Sequence, residues 1–143
     1  MVRNLTVELD WEFYINPNEV PNRAGIYMIL AGQLNSENQG LTNTYELLDI
    51  GQTGDGELRL SGHDREPCWI RKKPSNKIIL YKFSSMPSSK YDETDRRIVE
   101  CCLRSNTQPP CGMECNQGYS RQDTVNITNV GKFLPLEETY SCP

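Results

Sequence analysis

The chain contains no stretch approaching the roughly 20 consecutive apolar residues that a membrane-spanning helix needs. Its first residues, Met1-Val2-Arg3-Asn4-Leu5, lack the apolar core of a secretory signal. Both readings lead to the expectation of a cytoplasmic protein without a membrane partner. It also lacks an excess of positive charge. A formal net charge of -4 argues against a binder that holds nucleic acid through bulk charge alone, because duplex affinity rests mainly on Lys and Arg at phosphates. There is no internal repeat and no low-complexity block, which excludes solenoid and collagen-like architectures. Only one histidine, His63, is present.

What is present fits one domain over 1–143, since 143 residues can bury a single core without needing metals or disulfides. Leu5, Val7, Leu9, Trp11 and Phe13 alternate with polar residues, and this period of two predicts a half-buried strand over 5–13. A near-continuous apolar run from Ala24 to Leu30 reads as a central strand. The polar stretch from Gly32 to Asn43 reads as a long loop before a strand from Tyr45 to Ile50. After a glycine-rich turn at 51–56, residues Glu57 to Asp64 are expected to be a short helix that puts Arg59 and His63 on one face. Lys77 to Phe83 reads as a further strand, bracketed by Pro74 and Pro87. Asp92 is a candidate N-cap for a helix to about Arg104, with Ile98, Cys101, Cys102 and Ser105 on its buried side. One more strand is expected near 125–133. The fold class expected is therefore mixed α/β (α+β): a small, mainly antiparallel three-stranded sheet flanked by helices, with an added N-terminal strand. The core would span 24–118, and 119–143 would be a tail.

Charge is unevenly spread. Between Arg59 and Lys82 the chain carries Arg59, Arg65, Arg71, Lys72, Lys73, Lys77 and Lys82 against Asp64 and Glu66, a net +5 inside an acidic protein. Such segregation is what a local phosphate-binding face requires, and it is equally compatible with a solvated mixed-charge surface. Arg65, Arg71, Lys72, Lys73 and Lys77 are the candidate nucleic-acid contacts.

Several polar residues sit in a telling order on these elements. Gly25-Ile26-Tyr27 opens one strand, Asp49-Ile50-Gly51 closes the next, and Arg59, His63, Glu100 and Asn116 follow. This arrangement resembles the GIY-YIG nuclease family, whose first strand carries GIY, whose second ends in YIG and whose next helix reads Arg-x-x-x-His. The later Glu, Pro and Asn complete the pattern, so the resemblance covers residues 25 to 116. One departure stands out, because the second tyrosine of the pattern is Asp49 here. Tyr45 does not replace it, as four strand residues separate the two by roughly 13 Å.

The resemblance implies a metal-dependent DNA endonuclease. In that reading Tyr27 takes a proton from the attacking water as general base, with His63 as its relay. Arg59 meets the scissile phosphate, suited to this by a planar, permanently charged guanidinium. Glu100 holds Mg²⁺ or Mn²⁺, since Mg²⁺ commonly takes only one or two protein carboxylates, and Asn116 closes the site by hydrogen bonding. No small-molecule cofactor beyond the metal is implied, and breaking both strands of a duplex would call either for a second copy of the chain, as a homodimer, or for a swivel of the single domain. Asp49 either joins Glu100 at the metal or leaves the domain binding nucleic acid without cutting it. The cysteines offer a third reading. Cys101, Cys102, Cys111 and Cys115 fall within 15 residues, at the loose end of zinc-ligand spacing, whereas reduced thiols in the core are the expected state in a cytoplasmic protein.

Overall fold

The structure, a computed structural model, describes residues 2–33, 45–112, 115 and 123–143. Six strands and two helices follow one another as β1 (Asn4–Tyr14), β2 (Gly25–Gly32), β3 (Glu46–Thr53), α1 (Glu66–Lys72), β4 (Ile78–Ser85), α2 (Glu93–Thr107), β5 (Thr124–Gly131) and β6 (Thr139–Cys142). The loop expected at Gly32 to Asn43 falls outside the described residues from 34 onward. The strands form one sheet in the order β3-β2-β4-β1-β5-β6. Every neighbouring pair is antiparallel except β1 with β5. The α+β class is as expected, but the sheet is twice as wide as the three-stranded core. The N-terminal strand is not an appendage: β1 lies between β4 and β5, so its alternating apolar residues extend the core instead of capping it.

Two hydrophobic layers hold the sheet. On one face Val7, Leu9 and Trp11 of β1, Ile26, Met28 and Leu30 of β2 and Val125 and Ile127 of β5 pack with Ile98, Val99, Cys102 and Leu103 of α2. On the other face Tyr27, Ile29, Tyr81 and Phe83 pack with Trp69 of α1 and with Leu58 and Leu60. β2 is covered on both faces, which is why its sequence is a continuous apolar run and not an alternation. α2 starts where its cap residue predicts. The Asp92 side chain accepts from the Asp95 amide at 2.8 Å, and the Asp95 side chain accepts from the Asp92 amide at 3.0 Å, a reciprocal capping box. Ser105, expected on the buried side, is exposed, and Leu103 and Arg104 are buried instead. No helix among the described residues is long and apolar enough to cross a membrane.

The expected reduced thiols are replaced by three disulfides, Cys68–Cys111, Cys101–Cys115 and Cys102–Cys142. Neighbouring helical residues point about 100° apart. Cys101 and Cys102 therefore take different partners, Cys115 in the segment after α2 and Cys142 on β6. With every sulfur covalently paired, the cluster does not serve as a zinc ligand set.

The basic segment does not form a continuous surface. Lys82 is 1% exposed. Its ammonium donates to the Leu134 carbonyl at 2.7 Å and sits 4.5 Å from the centre of the Tyr45 ring. Lys77 pairs with Glu46 at 3.2 Å, and Lys73 donates to the Pro74 and Lys77 carbonyls at 3.1 and 2.7 Å. Arg71 and Lys72 stay exposed in the last turn of α1.

Burial, with help from the nearby Lys132 charge, pushes the Lys82 ammonium down from 10.5 to about 8. The folded state therefore holds fewer protons than the unfolded chain between these values, and stability rises with pH across that window. Between pH 7 and 9 the wild-type urea midpoint is expected to climb by the equivalent of about 1 kcal/mol, while Lys82→Met stays flat. A parallel climb in both proteins would remove Lys82 as the source.

Candidate active site

The site is built around the edge strand β3 and its neighbour β2. Tyr27 lies opposite Gly51 in the β2–β3 register. A Cβ on Gly51 would collide with the Tyr27 ring and hydroxyl, so only glycine lets the phenol lie across the edge strand. That is the physical reason for a glycine at position 51.

Leu48, Ile50 and Gln52 turn their backbone polar groups away from β2, where an edge strand has no ladder partner. Each is satisfied from outside the sheet. The Cys111 amide donates to the Leu48 carbonyl at 2.9 Å and Arg104 Nε to the Ile50 carbonyl at 2.8 Å. The Gln52 amide donates to Glu100 Oε2 at 2.7 Å. Glu100 and Arg104, one turn apart on α2, thus close the edge of the sheet.

Residues 57–64 do not form the expected helix. Gly62 has φ +80°, which a helix does not accommodate, and Leu58 and Leu60 are both buried while Arg59 and Ser61 point out. This is the period of two of an extended segment. The Leu58 amide is held by the Asn22 side chain at 2.9 Å. The turn that follows delivers His63 to the mouth of the site, and α1 starts only at Glu66, with Pro67 in its first turn.

Tyr27, Arg59 and His63 line one cleft of about 440 Å³, together with Gln52, Thr53, Glu57, Leu58, Gly62, Asp64 and Glu93. Tyr27 Oη is 3.0 Å from His63 Nε2 and accepts from Arg65 Nη2 at 2.8 Å. His63 Nδ1 in turn accepts from the Arg65 amide at 3.0 Å. A neutral imidazole carries one hydrogen, and with Nδ1 accepting, that hydrogen is on Nε2, which donates to the phenol oxygen. His63 is therefore not arranged to take the tyrosine proton, as the relay expectation required. Burial and the adjacent Arg65 guanidinium push the imidazole below its ordinary value, which keeps it neutral. Burial also raises Tyr27 to about 12, with Asp49 and Glu100 adding to the rise and Arg65 and Arg104 opposing it.

Asp49 is fully buried. Its Oδ2 accepts from Arg65 Nε at 2.6 Å and from Trp69 Nε1 at 2.7 Å, and Arg104 Nη2 lies 3.8 Å from its Oδ1. The residue that replaces the phenol of the motif is thus an anchor for Arg65. Arg65, expected at the phosphate backbone, is partly buried, with its guanidinium between Asp49 and Tyr27.

Glu100 does not line the cleft. It is 2% exposed, and its Oε2 lies 3.6 Å from Arg104 Nη2 besides accepting from Gln52. A divalent ion at Oε2 would displace the strand amide and face the Arg104 charge, so this oxygen does not suit the expected Mg²⁺ or Mn²⁺. Among the described residues, no three His, Cys, Asp or Glu side chains are grouped to share an ion. Asn116 lies outside the described residues. Sequence reasoning missed Trp69 and Arg104 as site residues, and it assigned Arg65 to nucleic acid rather than to Tyr27 and Asp49. The signal available for Arg104 was its spacing of four from Glu100 on a helix.

No family model matches this chain, and no curated protein or solved structure matches it either.

Proposed function

We propose that the chain hydrolyses phosphodiester bonds in DNA, with the scissile phosphate held in the cleft by Arg59 beside Tyr27 and His63. The observation that carries this reading is the convergence of Tyr27 and His63, 36 positions apart, at 3.0 Å on a cleft whose wall includes Arg59. A cleft of about 440 Å³ suits a nucleotide-sized group rather than a duplex groove. Arg59 is exposed, and among the described residues its Nη1 donates to the neighbouring Leu58 carbonyl alone, at 3.1 Å. The guanidinium is thus available to a phosphate, and on this reading it stabilises the charge that develops on the non-bridging oxygens. Since Glu100 is engaged at the sheet edge, no step is routed through a metal.

A second reading, a noncatalytic nucleic-acid-binding domain, is favoured by the same engagement of Asp49 and Glu100 in structural bonds. The exposed Arg71 and Lys72 would then supply phosphate contacts. Three disulfides support an oxidising compartment over the cytoplasm expected from the sequence.

Supercoiled plasmid incubated with the chain separates the two readings. Wild type is expected to nick it, with Arg59→Ala slower by about 10²–10³-fold, the usual loss when one donor to a developing oxyanion is removed. Parallel reactions with Mg²⁺ and with chelator show whether a metal contributes. A wild type that retards DNA on a gel and cuts nothing under either condition would leave the binding module as the answer.

A further inference from the structure

We infer that Tyr27 acts as a proton donor to the departing oxygen, not as the base that the motif resemblance implies. This rests on the hydrolase reading above and deepens it. The phenol oxygen has two acceptor positions and one hydrogen. Arg65 Nη2 at 2.8 Å occupies one acceptor position, and His63 Nε2 at 3.0 Å occupies the other. The Nε2 hydrogen is assigned because Nδ1 is already an acceptor, from the Arg65 amide at 3.0 Å. No lone pair of the neutral phenol is left for a water proton, and with burial raising Tyr27 to about 12 the neutral form is the one present near pH 7. By elimination the hydroxyl hydrogen takes the remaining direction, and Tyr27 and His63 both line the cleft.

Arg65 does not reach this position by chance. Its Nε is fixed by the buried Asp49 carboxylate at 2.6 Å, so Asp49 and Arg65 are positioning residues for the phenol. Two donors on one oxygen are also the arrangement that stabilises a phenolate once its proton has gone. In the reaction a water oxygen bonds to phosphorus while the bond from phosphorus to the leaving oxygen breaks. The Tyr27 hydroxyl proton passes to that leaving oxygen. The phenolate, held by Arg65 and His63, then regains a proton from solvent, balancing the one the attacking water releases.

Two measurements test this. The first uses the chain's single imidazole, whose long-range ¹H–¹⁵N NMR pattern is unambiguous. A neutral ring protonated on Nε2 is expected; protonation on Nδ1 would overturn the assignment. The second compares wild type with Tyr27→Phe on a DNA oligonucleotide and on thymidine 5′-(4-nitrophenyl phosphate), whose leaving group departs as a stable anion without a proton. Loss of a proton donor should slow the oligonucleotide by about 10²–10⁴-fold, and the nitrophenyl ester by less than about tenfold. Equal losses on both substrates would assign Tyr27 to the attacking water and sink the inference while sparing the hydrolase reading. Wild type inert on both would defeat the two together.

Discussion

Reduction of the three disulfides is expected to unfold the chain under conditions where the oxidised protein is fully folded. The bonds close loops with sequence separations of 43, 14 and 40 residues. On the chain-entropy account, loops of these lengths contribute about 3–4 kcal/mol each by restricting the unfolded ensemble. A single domain has only about 5–15 kcal/mol in total, so losing all three removes most or all of it. Their placement adds to the effect. Cys101 and Cys102 fasten the two sides of α2, and Cys142 ties the four-residue edge strand β6, otherwise held by its ladder with β5, to that helix. Cys68–Cys111 joins α1 to the segment whose Cys111 amide closes the edge of β3. The measurement is a guanidinium transition followed by circular dichroism, on oxidised protein and on protein reduced and alkylated in denaturant. Coincident midpoints would show that the sulfurs are not bonded in the native chain.

Much of the architecture was legible because single-face patterns are local. The alternation from Leu5 to Phe13 gives β1, the unbroken run from Ile26 to Leu30 gives a strand covered on both faces, and Asp92 marks the start of α2. The misreadings arise where local pattern and tertiary context disagree. A four-residue spacing from Arg59 to His63 fits a helix, yet Gly62 at positive φ and the burial of both Leu58 and Leu60 make the segment extended. β6 is too short and polar to register as a strand, and it forms by pairing with β5 from Val125 to Thr128. The cysteine partners depend on where α2 meets β6, which spacing alone does not encode.

The candidate site shows the same division. Tyr27, Arg59 and His63 share the cleft. Glu100, by contrast, is claimed by an unpaired strand amide. Arg65 belongs to the site because it neutralises Asp49, a pairing across 16 positions that nothing in the basic segment announces.

Replacing Asp49 by Ala is expected to cost about 3–5 kcal/mol, the penalty typical of removing one partner from a buried ion pair. Asp49 is fully buried and takes hydrogen bonds from Arg65 Nε and Trp69 Nε1. Its loss strands a buried indole N–H and leaves the Arg65 charge with no carboxylate beside it. Asn at this position keeps a carbonyl oxygen for one donor but not the charge, so a smaller loss is expected. Tyr, which would restore the motif, is expected to be no better than Ala. A Cβ on Gly112 would already touch Asp49 Oδ1, so this segment lies against the carboxylate. A phenol at 49 would have to push it aside, although the Cys68–Cys111 bond ties it to α1. Urea midpoints rank the variants, and the His63 imidazole reports the site independently. In Asp49→Ala the Arg65 side chain loses its anchor, and the ¹⁵N shifts of the ring should move toward those of a solvent-exposed histidine sampling both tautomers. Asp49→Tyr folding as stably as wild type, with the imidazole pattern unchanged, would show that the carboxylate is not what fixes Arg65 on Tyr27.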